Sequence, residues 1–237
     1  MRYIFMLTVI MLALATGAFY YVCYTPALAQ KAAPAFIEKY FKDVAVNSLR
    51  IGGQSFAYPE ILKLYNIRAE IQWQRQTYQI EIAELDFLNL QTFLRTQQQA
   101  LIELVGFNIH RKNFELLKAA LSVTINLDAK VFASCDVVLR DGQLQFLPYR
   151  LTNTQARFQV SKASFKVPEF KVQAYGGQVK GKIEVIFVPR PSETVLFEFS
   201  DLKSQELVEV DRSIFSQLSG ELNGTVRLSR VEGLIQV

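Results

Sequence analysis

Residues 174–185 read AYGGQVKGKIEV, and the reading of this stretch decides the fold. Gly176, four residues, then Gly181-Lys182 reproduces the skeleton of a phosphate-binding P-loop. Such a loop needs a Ser or Thr hydroxyl after the lysine to hold Mg²⁺, and a following helix whose first amides face the phosphates. Ile183 follows the lysine here. From Lys182 to Val188 the chain alternates, with Ile183, Val185 and Phe187 on one side of a two-residue period, until Pro189 and Pro191. That period is a strand's. Phe170 to Tyr175 alternates in the same way, so Tyr175-Gly176-Gly177-Gln178 is expected to be a hairpin turn with glycine at its positive-φ positions. No nucleotide partner is expected.

The same rhythm runs outward from the hairpin. Ile67, Ala69, Ile71 and Trp73 alternate with polar neighbours, as do Tyr78, Ile80 and Ile82. Leu101, Val105, Phe107 and Ile109 are expected to share one face, followed by Leu121, Val123, Ile125 and Leu127 and by Val131 to Leu139. Leu144 and Phe146, Ala156 to Val160, Val195 to Phe199, and Leu222 to Leu228 continue the series. Asp141-Gly142 has turn chemistry, whereas Asn223-Gly224 lies inside an alternating run and reads as strand. Two segments have helical spacing: Lys112 to Leu121, through Phe114, Leu117 and Leu121, and Gln205 to Leu218, with Ser204 as its N-cap. A large sheet with one apolar face can fold into a sandwich, close into a barrel or curl into a trough, and the alternation alone does not choose.

The 237-residue chain is half apolar, and part of that excess lies at the start. Tyr3 to Tyr24 carries no charge and is long enough to span a bilayer, with Tyr3 at one end and Tyr20, Tyr21 and Tyr24 at the other. Residues 1–25 are therefore expected to be a membrane anchor. The alternative is a signal peptide cleaved after Ala29, since Ala27-Leu28-Ala29 suits a cleavage site. Residues 26–43 follow as a juxtamembrane amphipathic helix, with Phe36, Ile37, Tyr40 and Phe41 on one face from Lys31 onward. Lys31, Lys39 and Lys42 outnumber the positive charges before the apolar run, but long domains translocate largely regardless of such counts. The main domain, residues 44–237, is expected outside the membrane.

Charge and chemistry exclude more than they suggest. The 26 basic and 22 acidic residues give a net charge of +4 without any basic block, so no nucleic-acid partner is expected. Cys23 and Cys135 form no disulfide framework. The single histidine, His110, stands at a strand end beside Arg111-Lys112. Glu81, Glu84 and Asp86, and likewise Glu206, Glu209 and Asp211, are acidic groupings without EF-hand spacing, and read as solvated surface. No set of nucleophile, base and orienter emerges, so the expectation is a non-enzymatic protein with no metal and no cofactor.

Two stretches together carry a family resemblance. One is the apolar opening followed by AFIEKYFKDVAVNSLRIGG and YPEILKLYNIRAEI; the other is VQAYGGQVKGKIEV followed by FSQLSGELNGTVRLS. They resemble the AsmA-like proteins of bacterial envelopes, relatives of the repeating β-groove lipid-transfer proteins. Tyr175, Gly176, Gly177 and Gly181 match that family's first motif, and Leu218, Ser219, Gly220, Leu222 and Gly224 the second. Coverage is roughly the first 75 residues and residues 170 to 230. Members usually continue past the second motif, whereas this sequence stops at Val237, which suggests a short or truncated member.

The resemblance implies a long curved antiparallel sheet, a β-groove whose concave face is apolar, held to the inner membrane by a single-pass N-terminal signal-anchor. The groove would be lined by Ile67, Ile71, Trp73, Val123, Ile125, Leu127, Ile183, Val185, Phe187, Phe197, Phe199, Leu222 and Val226. Gly181, Gly220 and Gly224 would permit bends or close approach of a ligand. The implied function is lipid binding or lipid transport in the periplasm, supporting outer-membrane biogenesis, with membrane phospholipid as partner. An alternative is an assembly or scaffolding factor for envelope biogenesis or secretion that meets protein partners through its sheet edges. A transmembrane β-barrel is a third reading, opposed by the single Trp and the absence of aromatic girdles.

Overall fold

Each alternating segment pairs with the next one along the chain. The computed structural model describes residues 26–27, 30–31, 34, 44–57, 60–73, 75–129, 131–146, 149–188, 191–208, 219–231 and 234–236. The strands are β1 (Val44–Ala57), β2 (Ile61–Trp73), β3 (Gln76–Phe87), β4 (Gln99–Arg111), β5 (Phe114–Asp128), β6 (Val131–Phe146), β7 (Tyr149–Ser161), β8 (Ser164–Ala174), β9 (Gly177–Ile186), β10 (Ser192–Lys203), β11 (Glu221–Val231) and β12 (Leu234–Gln236). Two short helices, α1 (Leu90–Thr96) and α2 (Ser204–Leu207), follow β3 and β10. All twelve strands form one antiparallel sheet in chain order, a pure meander. The pairings run in a line from β1 to β12, so the sheet is open.

The hairpin at the centre of the P-loop question is present, one residue earlier than expected: Gly177 already belongs to β9, and the non-glycine Tyr175 takes a positive φ. Ala174 faces Gly177, and Tyr175 and Gly176 fill the two-residue turn with φ of 50° and 72°. Positive φ at both central residues is the requirement of the tight turn that matches strand twist.

Three expectations are corrected, and a fourth falls mostly outside the described residues. Lys112 to Leu121 is not helical, because Phe114 onward belongs to β5. Asp141-Gly142 does not end a strand: Asp141 sits inside β6 at φ 54° as a bulge. The expected helix over Gln205 to Leu218 is described only as the four residues of α2, and residues 209–218 lie outside the described residues. Ser204 is not its N-cap; that position is Lys203, and the buried Ser204 hydroxyl donates to the carbonyl of Gly220 at 3.0 Å. The expected anchor, residues 1–25, also lies outside the described residues, as does most of 26–43. Among the described residues no helix is long and apolar enough to cross a membrane.

The register explains where the core sits. Leu104, Phe107, Leu116, Ala119, Leu139, Ala156 and Val167 form one buried cluster reaching from β4 to β8. Along several strands the inward residues step by three at one point instead of two: Leu104 to Phe107, Leu116 to Ala119, Leu139 to Gly142. At those steps the pairing register shifts and Gly106, Lys118 and Asp141 have positive φ; Asn153 and Asp201 mark the same event on β7 and β10. Such bulges bend a strand and strengthen its local twist. Here they fall in a line that crosses the sheet.

Candidate functional site

Directly paired residues of an antiparallel sheet lie on the same face, so the register traces each face residue by residue. One row runs Leu64, Leu85, Leu104, Leu121, Leu139, Ala156, Phe170, Gly181, Phe197 and Val226, from β2 to β11 without a polar side chain. A parallel row runs Leu62, Phe87, Ile102, Val123, Val137 and Phe158. The apolar face is therefore continuous from β2 to β11, and on β1 the first row ends at Gln54.

Most of the sequence-selected groove residues stand on it. Ile67 is buried between Ile51 and Ile82. Ile71 pairs with Val46 and Tyr78, Val123 with Ile102 and Val137, and Ile125 with Ala100 and Cys135. Ile183 lies between Val167 and Val195, Val185 between Phe165 and Glu193, and Phe199 between Val179 and Gly224. Leu127 pairs with Phe132 beside a register shift, and Leu222 with Leu202 beside another. Trp73 is opposite Val44 and Gln76, and only its backbone is described. Phe187 departs from expectation. It lies past the end of β9, 48% exposed, with its backbone N–H donating to Ala163 across the turn region at 2.8 Å.

Two further corrections concern faces. Leu101 and Val105 do not share a face with Phe107 and Ile109, because the bulge at Gly106 intervenes; Val105 is 54% exposed while Phe107 is buried. The strand glycines do not leave space for a ligand to approach. A Cβ on Gly181 would meet the Leu196 carbonyl and come within 2.7 Å of the Phe170 ring; one on Gly224 would come within 2.7 Å of the Phe199 ring. Both glycines are already covered by the protein's own phenylalanines. Gly177 is closed in by the backbone of Ser200 and Asp201, whereas Gly220, at φ 104°, has open space beside it and serves the chain's change of direction into β11.

The selected groove residues undercount the face. Phe170, Leu139 and Ala156, which stand in the alternating runs but not among the selected groove residues, belong to it as fully as those do, and so do Phe165 and Leu104. Burial is not uniform along it. The middle is covered, whereas on β11 Val226 and Leu228 are 39% and 38% exposed. Beyond them the face ends on an ion pair between Arg230 and Glu193 at 3.2 Å.

The opposite face carries charge in cross-strand pairs. Lys63 bridges Glu84 and Asp86, each at 2.7 Å, and Arg68 meets Glu81 at 3.3 Å. Lys166 pairs with Glu184 at 2.7 Å and Arg157 with Asp136 at 3.4 Å. The Lys63 ammonium, a hydrogen bond to Asp86 foremost, holds its proton well above the usual lysine range; its hydrogen bond to Glu84 holds that carboxyl below its usual value. The first acidic grouping of the sequence is thus ion-paired with lysine and arginine. Of the second, Glu206 is 3.8 Å from Lys203, and Glu209 and Asp211 lie outside the described residues.

His110 places its Nδ1 3.3 Å from a Glu115 carboxylate oxygen at the β4–β5 turn. Cys135 sits on the apolar face opposite Ile125 and Val160, where burial, and then the neighbouring Asp136 charge, push its thiol pKa up. Neither neighbourhood assembles a nucleophile with a base. No protein-family model, no curated protein and no solved structure matches the chain.

Proposed function

We propose that this protein is a membrane-anchored, non-enzymatic lipid-binding or lipid-transfer module whose apolar sheet face is the wall of a curved groove. The observation that carries the reading is the row from Leu64 to Val226: an unbroken apolar path across an open sheet, exposed at its β11 end and backed by an ion-paired face. The line of bulges supports the curvature, since each bulge bends its strand. An acyl chain laid on such a wall gains about 0.8 kcal/mol for each CH₂ removed from water, while its headgroup stays wet. Twelve strands spaced at about 4.8 Å make a path of roughly 50 Å, near the thickness of one bilayer. The resemblance of Tyr175 to Gly181 and of Leu218 to Gly224 to AsmA-like proteins agrees with this role, as does the apolar run from Tyr3 to Tyr24. It points to a single-pass inner-membrane protein with its main domain in the periplasm, supporting outer-membrane lipid homeostasis.

Lipid mass spectrometry on the full chain, purified through an exchangeable detergent, tests the reading. Phospholipid is expected to co-purify, and Ile125→Asp and Phe197→Asp are each expected to reduce it while the β-sheet circular dichroism persists. Folded variants that retain the wild-type lipid content would sink it. A second reading, an envelope scaffold acting through sheet edges, is favoured by one observation: nothing described pairs with the outer edge of β11 from Glu221 to Leu228. It predicts a folded protein that carries no lipid.

A further inference from the structure

The outer edge of β11 has a self-complementary pattern. Among the described residues β12 pairs only with Ser229, Arg230 and Val231, so every second residue from Glu221 to Leu228 turns its backbone donor and acceptor outward without a neighbouring strand, the others being bonded to β10. An uncovered edge of this length is a template for another strand. Glu221, Asn223, Thr225 and Arg227 project from the charged face; Leu222, Gly224, Val226 and Leu228 belong to the apolar one. Neither Glu221 nor Arg227 makes an ion pair with a described residue.

We propose that this edge pairs with the same edge of a second copy of the chain, antiparallel and centred on Gly224. In that register Glu221 of each copy lies opposite Arg227 of the other, Leu222 opposite Val226, and Asn223 opposite Thr225. Two ion pairs form on the charged face, and two aliphatic pairs form on the apolar face where Val226 stands 39% exposed. Opposite charges and apolar side chains directly across a ladder are favourable, and like charges there are unfavourable. Moving the centre by one residue along the strand leaves Arg227 opposite Asn223 or Ser219 and forfeits both ion pairs. An offset of half that size turns the second copy over, setting its charged face beside the first copy's apolar face.

The other edge of the sheet is a poorer partner. On β1 the Gln30 side chain donates to the Leu49 carbonyl at 2.9 Å, occupying an edge acceptor in mid-strand. Like-with-like pairing through β11 also closes on itself as a dimer, whereas pairing β11 to β1 would propagate without end. The two apolar faces become continuous across the junction, but the pairing itself does not rest on lipid binding.

Sedimentation of the full chain in density-matched detergent reads the protein mass directly. A dimer is expected, with Glu221→Arg alone or Arg227→Glu alone weakening it about tenfold through two like-charge contacts. The double variant E221R/R227E is expected to restore the dimer to within about threefold of wild type. Mixing an Asn223→Cys copy with a Thr225→Cys copy is expected to give an intermolecular disulfide on mild oxidation. A wild-type chain that stays monomeric overturns the proposal. So does a dimer indifferent to the single swaps, or one that the double swap fails to restore in protein with the wild-type melting profile. Because mass is measured rather than lipid, these outcomes leave the groove reading standing or falling on its own test.

Discussion

Phe170 on β8 and Phe197 on β10 meet edge to face across Gly181 of the intervening strand, with ring centroids 5.7 Å apart and planes at 68°. The absent side chain on β9 is what lets rings from two strands apart touch. The second glycine of the P-loop-like string thus has a packing role, filled by aromatic rings from both neighbours.

Gly181→Val is therefore expected to destabilise the protein rather than improve its β-propensity. Its Cβ has no room beneath the Phe170 ring and the Leu196 carbonyl. Overpacking of this kind costs about 1–3 kcal/mol. The chemical-denaturation midpoint measures it. A variant as stable as wild type would mean that the Phe170–Phe197 contact does not persist in solution.

Thr154 makes the opposite case. It faces inward at a parity step, paired with Gly142, is 5% exposed, and its hydroxyl has no hydrogen-bond partner among the described residues. An unsatisfied buried hydroxyl costs about 1–3 kcal/mol, and valine has nearly the same shape. Thr154→Val is expected to raise the denaturation midpoint, by an amount equivalent to about 1 kcal/mol. A drop in stability would reveal that the hydroxyl has a partner in the folded protein.

The same parity steps set the limit of what the sequence could reveal. Period-two alternation identified most of the strands and a hairpin within Tyr175 to Gln178, since both follow from local residue chemistry, but not that Tyr175 itself takes a positive φ. It misread β5 because Lys118, at φ 53°, makes the inward positions run Leu116, Ala119 and Leu121. The helical reading of Lys112 to Leu121 joined Phe114, Leu117 and Leu121, but Leu117 pairs with Gln143 on the opposite face from Leu116 and Leu121. The bulge at Gly106 likewise swapped the faces of Val105 and Phe107. Glycine marks only Gly106 among these positions; Lys118, Asp141, Asn153 and Asp201 carry side chains. Of the candidate site, the apolar face was legible, but its closure in the middle and exposure at β11 depend on cross-strand neighbours that alternation does not specify.

Asn89 was missed for a different reason. It stands at the N-cap position of α1 but makes no side-chain cap bond there; it is 9% exposed and clamps the start of β4, accepting from the Leu101 N–H and donating to the Gln99 carbonyl, both at 2.9 Å. Those bonds tie the entry of α1 to the next strand. Asn89→Ala leaves one backbone donor and one acceptor without their partners and is expected to cost about 2 kcal/mol. Hydrogen exchange at Leu101 is expected to accelerate with it. Unchanged protection at that amide would show that the clamp is not what orders the β3–β4 connection.

The Lys63 cluster gives a prediction with a pH signature. Glu84 has its folded pKa lowered, by the Lys63 hydrogen bond foremost, so its contribution is complete above the unfolded carboxylate value of about 4.3 and is lost as pH falls through the folded value. Lys63 has its pKa raised, by Asp86 and then Glu84, so its contribution is complete below about 10.4 and is lost as pH rises through the folded value. Lys63→Met removes both effects and leaves the two carboxylates facing each other. The melting temperature of the variant is thus expected to fall furthest below wild type between about pH 5 and 10, with the gap narrowing on either side. The three groups are partly solvated, so salt should shrink the gap across the whole window. A gap that stays constant from pH 3 to pH 8 would mean that Lys63 contributes through its aliphatic stem rather than its charge.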